Sequence, residues 1–195
     1  MSETMANKVV GDYCVVVSTG GTAEVKQLSK AENVFTDAKE FIGCRFLDHV
    51  RVQKLASDVN IEFLVNDEGY PQWGNDPTKV NQIATYIYNG GEKPDHYILG
   101  DAVFCLSVYD EEDGWDFIGM TEYVANFLVS ELNSSVLPRA KEICPIPEVV
   151  PDPTVTITSY DSTEDMIRAL KGDKTVKPAS EEVISGQNTN AEKEV

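Results

Sequence analysis

Asp110, Glu111, Glu112 and Asp113 stand in unbroken succession, with Asp116 close behind. Carboxylates packed this tightly invite two chemistries: holding a cation, or attracting a basic partner. A calcium loop of the EF-hand type needs acids at alternate positions before its glycine and a bidentate Glu at position twelve. Here the acids are contiguous, and position twelve counted from Asp110 is Thr121. The run ends on Gly114, and Asp-Gly is a favoured hairpin turn pair. The expectation is therefore an exposed turn whose acids, with Asp116, form a partner-binding face.

Asn81 and Thr85 are a second candidate. They lie four residues apart in a predicted helix, so their side chains share a face. Asn is a poor residue for a helix interior and calls for a reason. One is a hydrogen bond holding the loop Tyr70 to Asn75; the other is a polar contact in a ligand cleft, with Trp73 beside it. Tyr70, Trp73, Tyr86, Tyr88 and Tyr97 would stack on a nucleobase if several lined one pocket.

Other reactive residues are sparse. Cys14, Cys44, Cys105 and Cys144 lack metal-ligand spacing, and three lie in or beside apolar runs, which fits buried reduced thiols. His49 and His96 have no Cys or His neighbour in sequence. Gly20-Gly21 opens no helix and has no Lys-Ser/Thr behind it, so it is not a phosphate loop. The sequence assigns no catalytic residue, no metal and no cofactor.

Charge is more informative. The 195 residues carry a net charge of −17. Residues 59–132 hold 2 Lys+Arg against 14 Asp+Glu, whereas residues 1–58 hold 7 against 8 and residues 133–195 hold 7 against 11. Between Lys93 and Arg139 there is no basic residue, while nine acids fall there. Such a surface repels phosphate, which argues against direct nucleic-acid or anionic-membrane binding and favours a basic partner. Plain solubility is the competing explanation.

Strand and helix signals place these residues. Asp12 to Val17 and Ala23 to Leu28 form a hairpin about a Ser-Thr-Gly-Gly turn. Asn33 caps a helix whose Val34, Phe35, Ala38, Phe41 and Ile42 recur at helical spacing, and Gly43 stops it. Arg45 to Lys54 and Ile61 to Val65 read as strands, and Tyr70 to Pro77 as a loop. A helix capped by Asp76, with Pro77 in its first turn, carries Val80, Ile83, Ala84 and Ile87 on one stripe. Ala102 to Tyr109 pairs with Trp115 to Ile118, and a third helix starts near Thr121. The prediction is an α+β domain over 1–133: a small mixed or antiparallel sheet with about three packed helices.

Prolines 138, 145, 147, 151 and 153 predict an extended linker over 134–153. A short strand and a helix capped by Ser162 follow within 154–172. Residues 173–195 contain no aromatics and read as a disordered tail. The longest apolar runs are strand-sized, and Met1 to Lys8 lacks the basic start and apolar middle of a secretory signal. The expected location is the cytoplasm.

The order of these elements, with Val65-Asn66-Asp67-Glu68-Gly69, Asn81 to Thr85 and Ile98-Leu99-Gly100-Asp101-Ala102-Val103-Phe104, resembles a family known as domain of unknown function 3846. Its members occur in phages, plasmids and conjugative elements. The resemblance spans about residues 12–108 and implies a mobile-element setting, without an activity or a cofactor. Joined to the charge pattern, it suggests a non-enzymatic interaction protein that binds and inhibits a host protein with a basic surface, in counter-defence, its acids mimicking nucleic-acid phosphates. The alternatives are a nucleotide-signal binder, using a positive pocket drawn from Lys8, Lys26, Lys30, Arg45, Arg51 and Lys54, and an accessory module docking through its C-terminal helix.

Overall fold

The computed structural model describes residues 9–54, 59–110, 114–150, 154–159, 162 and 180–185. Two compact units divide the chain, Met1–Val150 and Pro151–Val195. Strands β1 (Val10–Val17), β2 (Ala23–Gln27), β3 (Leu47–Lys54), β4 (Val59–Asn66), β5 (Ala102–Asp110) and β6 (Gly114–Ile118) make the six-stranded sheet of the first unit. Every pairing is antiparallel, in the order β2-β1-β5-β4-β3. β6 also pairs with β5, over Leu106 to Asp110, where β1 has left off after Phe104.

Alternation along the strands divides the interior in two, because successive side chains point to opposite faces. Val15, Val17, Ile61, Phe63, Phe104 and Leu106 enter one core. Cys14, Val16, Leu64, Val103 and Cys105 enter the other. β5 therefore reads in sequence as an unbroken apolar run, both of its faces being covered. Helix α1 (Val34–Ile42) covers the second face through Val34, Ala38 and Ile42. Gly43 ends it at φ 73, its N–H donating to the Lys39 carbonyl. The first face is covered by α3 (Gln82–Tyr88), through Ile83 and Ala84, and by α4 (Glu122–Glu131), through Ala125.

The α+β class agrees with the sequence reading; several boundaries do not. The stretch predicted as the Tyr70 to Pro77 loop contains a short helix, α2 (Gly69–Trp73). Asp76 caps only a 3₁₀ turn, Pro77–Lys79; Val80 is then extended and the helix restarts with Asn81 as its cap. The predicted linker is also partly helical. α4 runs through a π turn, Leu132–Val136, into α5 (Leu137–Ile143), with Pro138 in its first turn, where a missing N–H breaks no bond. The first unit thus ends near Val150, not at 133.

Asn133 explains part of that extension. Its side-chain amide donates to the Ala23 carbonyl and its oxygen accepts from the Ala23 N–H, both at 3.2 Å. One side chain thus pairs with both backbone groups of Ala23, the first residue of β2, as a neighbouring strand would. In the second unit, β7 (Thr154–Ser159) matches the expected strand, and it pairs antiparallel with β8 (Ser180–Ser185), inside the stretch predicted to be disordered. The helix expected after Ser162 lies outside the described residues. Among those described, no helix is long and apolar enough to cross a membrane.

Candidate functional site

Asn81 and Thr85 do not line a cleft. Both are fully buried. The Asn81 amide donates to the Val17 carbonyl at 2.9 Å and the Gly100 carbonyl at 3.1 Å, and its oxygen accepts from Ala84 N–H as the cap of α3. Thr85 accepts from Ile98 N–H at 2.9 Å. The pair pins the Ile98 to Gly100 crossover to the helix, and Asn81 is a cap, which removes the objection to Asn in a helix interior. Trp73 is likewise structural. It packs with Val80, Leu99 and Val150, and its ring fills the space a Cβ on Gly100 would need. Asp101, next along, accepts the Thr19 N–H of the first hairpin turn at 2.9 Å.

Of the predicted acidic face, Glu111, Glu112 and Asp113 lie outside the described residues. Asp116 is exposed on β6, and its carboxylate accepts the Phe117 N–H. Asp110 and Asp116 sit at one end of the sheet, whereas Asp67 and Glu68 follow β4 at the other, a strand length of about 25 Å away. Further acids of the 59–132 block are occupied within the fold: Glu62 is buried, Asp76 caps a turn and Asp101 holds a hairpin. The block is therefore not one continuous surface.

A polar cluster that the sequence reading did not single out occupies the part of the second sheet face beyond α1. Glu62 is 2% exposed. It accepts from Ser107 Oγ at 2.7 Å and lies 2.8 Å from His49 Nδ1 and 3.5 Å from Arg51 Nε. Asn60 donates to Ser107, and Phe117 stacks edge-on with both His49 and Phe35. The carboxylate stands between serine and histidine, so the histidine holds no proton-abstracting contact with the hydroxyl. The only cue in sequence was Asn60 and Glu62 alternating with Ile61 and Phe63.

Three of the basic residues named for a positive pocket have local partners of their own. Lys26 pairs with Glu24, Lys30 approaches Glu32, and Arg45 stacks over Phe46. Arg45 also lines a surface cavity with Cys44, Glu68 and Gln72. Lys8 lies outside the described residues. The cysteines are free thiols. Burial pushes Cys14 up to about 12, with Asp37 adding to the effect, and burial raises Cys105 well above its usual range. No group of three His, Cys, Asp or Glu side chains among the described residues is placed to hold a metal ion.

Among the described residues, two cavities on the first face are open to a ligand. The larger, about 620 Å³, is an apolar groove between α4 and the β3–β4 edge. Phe104, Ile61 and Val52 contribute from the sheet, Ile87 from α3, and Val124, Phe127 and Leu128 from α4, with Glu131 as the one charged residue lining it among the described residues. Phe127 is 60% exposed and Tyr123, one turn before it, 81% exposed. The smaller, about 150 Å³, lies at the start of β3 and the end of α3, among Asp48, Asp67, Tyr70, Tyr88, His96 and Tyr97.

The chain matches no protein-family model, no curated protein and no solved structure.

Proposed function

We propose that the chain is a non-enzymatic binding protein whose apolar groove along α4 takes a protein segment with apolar anchors flanked by basic residues. The observation that carries this reading is the groove together with the exposed Phe127 that lines it. Phe127, and Tyr123 one turn before it on α4, leave large apolar area in water, and such patches favour burial against a partner. Aromatic side chains of this kind dominate the energetics of protein interfaces. Charge selects the partner: Glu131 of α4 lines the groove, and no Lys or Arg lines it among the described residues. The scatter of the remaining acids over the sheet favours a local contact through Glu131 over an extended phosphate mimic.

The resemblance of residues 12–108 to a mobile-element family supports a setting of that kind. In a phage or other mobile element, a protein of this kind acts in the host cytoplasm by blocking a host factor with a basic surface, a counter-defence role. A second reading is favoured by the groove's size, which lies within the range of about 300–1,000 Å³ common for small-molecule sites. Its apolar walls suit an apolar compound and not a phosphorylated nucleotide.

Affinity capture from host lysate tests the proposal, using the full chain and Phe127→Glu at low and at high salt. A directly cross-linked protein partner is expected with the wild type, weakened by salt and lost with the variant. A partner retained equally by Phe127→Glu contradicts the groove. Stabilisation of the wild type by apolar small molecules, without any direct protein partner, would support the second reading.

A further inference from the structure

The smaller cavity has a composition that selects its ligand. Asp48 and Asp67 bring two carboxylates to its rim, both exposed. Tyr70, Tyr88 and Tyr97 line it with His96, and among the described residues no Lys or Arg does. Tyr88 is 46% exposed and meets the His96 ring edge-on, with centroids 6.4 Å apart. Tyr70 is fixed in place, its hydroxyl accepting the Tyr97 N–H at 3.2 Å. The site is thus built from β3, from the end of β4 with the turn into α2, and from the end of α3 with the segment joining it to β5.

We propose that this cavity is a binding site for the head group of a compact organic cation, an alkylammonium or methylated ammonium. Ring faces attract a cation through their quadrupole, more strongly where water is partly excluded, and the paired carboxylates add a long-range attraction. Anions meet the opposite field. Size separates a head group from a nucleotide: about 150 Å³ is well below the roughly 300 Å³ at which drug-sized ligands begin to fit. The aromatic cluster visible in the sequence therefore converges in part, but on a site with the wrong charge and volume for a nucleobase bearing phosphate. The site stands independently of the α4 groove, because no residue lines both.

Two sources offer this chemistry: a free amine, or a lysine side chain, plain or methylated, on a protein. Titration of the full chain, followed by amide NMR, would use choline, its neutral carbon isostere dimethylbutanol, and blocked lysine and trimethyl-lysine. Choline is expected to shift the amides of Asp48, Asp67, Tyr88 and His96 saturably, and at least about fivefold more tightly than dimethylbutanol. Tyr88→Ala and the Asp48→Asn, Asp67→Asn pair should each remove that preference, while Tyr88→Phe keeps it. All these side chains are exposed, so the fold tolerates the changes. Tighter binding of blocked trimethyl-lysine than of choline identifies a protein side chain as the source, and the reverse order a free amine. Equal binding of the neutral isostere, or no saturable shift at these four amides, overturns the proposal whatever the groove binds.

Discussion

Val50 and Val52 stand two positions apart on β3, yet they belong to different cavities: Val50 lines the small tyrosine-and-carboxylate pocket and Val52 the large apolar groove. At strand spacing they are about 7 Å apart. Ile87 and Tyr88, adjacent at the end of α3, divide in the same way. The two cavities are neighbours along one edge of the sheet, and a partner carrying apolar and cationic side chains at close spacing has a place for each.

The groove prediction is separable from stability. Phe127 is largely in solvent, so Phe127→Glu should shift thermal unfolding by less than about 0.5 kcal/mol, as surface substitutions usually do. Its effect should fall on partner affinity. Circular dichroism melts of the two proteins check the first half, and partner titration the second.

Asn81 should behave in the opposite way. Its side chain makes three hydrogen bonds in a fully buried position. Asn81→Ala strands the Val17 and Gly100 carbonyls and removes the cap of α3, and should destabilise by about 2–4 kcal/mol. Asn81→Asp keeps the cap but sets a carboxylate against two carbonyls, and should be at least as harmful. Urea unfolding measures both, and partner binding by the folded fraction should be unchanged.

Gly100 carries two separable constraints. Its φ of +88 favours glycine, and the Trp73 ring occupies the place of a Cβ. Gly100→Ala should cost about 2–4 kcal/mol. Adding Trp73→Leu should recover the steric part but not the backbone part, giving a clear non-additivity in a double-mutant cycle.

Alkaline stability follows from the buried thiols. Cys14 ionises near 12 in the folded chain, above its ordinary value of 9.0, and Cys105 is raised too. Above pH 9 the unfolded thiol loses its proton while the folded one keeps it. The native state then binds more protons, and stability falls as pH rises, by up to about 1.4 kcal/mol per pH unit for each such thiol. The loss from Cys14 should run from about pH 9 to about 12, and Cys14→Ala should flatten that part of the curve. Urea unfolding at a series of pH values reads it directly.

Much of the sheet and the first helix were legible in sequence because local signals agreed: alternation in β1 and β5, and helical spacing closed by Gly43 in α1. α5 was hidden by its prolines, since Pro138 falls in the first turn, where proline is harmless. β8 was hidden by composition, its partner β7 lying more than twenty residues earlier. The restart of α3 at Asn81 was masked by a good cap signal at Asp76, which serves a 3₁₀ turn instead. Neither cavity was visible as such, because Val52, Ile87 and Phe127 meet from three elements. The carboxylates of the small pocket, Asp48 and Asp67, likewise meet only through the β3–β4 pairing.

If the α4 groove receives apolar anchors with basic flanks, selection from a random-peptide display library with the full chain as bait should return peptides enriched in Leu, Phe or Trp next to Lys or Arg. Their affinity should drop at least about tenfold on Phe127→Glu, a loss near 1.4 kcal/mol. Selected peptides that are acidic or lack apolar anchors, or that bind Phe127→Glu as tightly as the wild type, would contradict this reading of the groove.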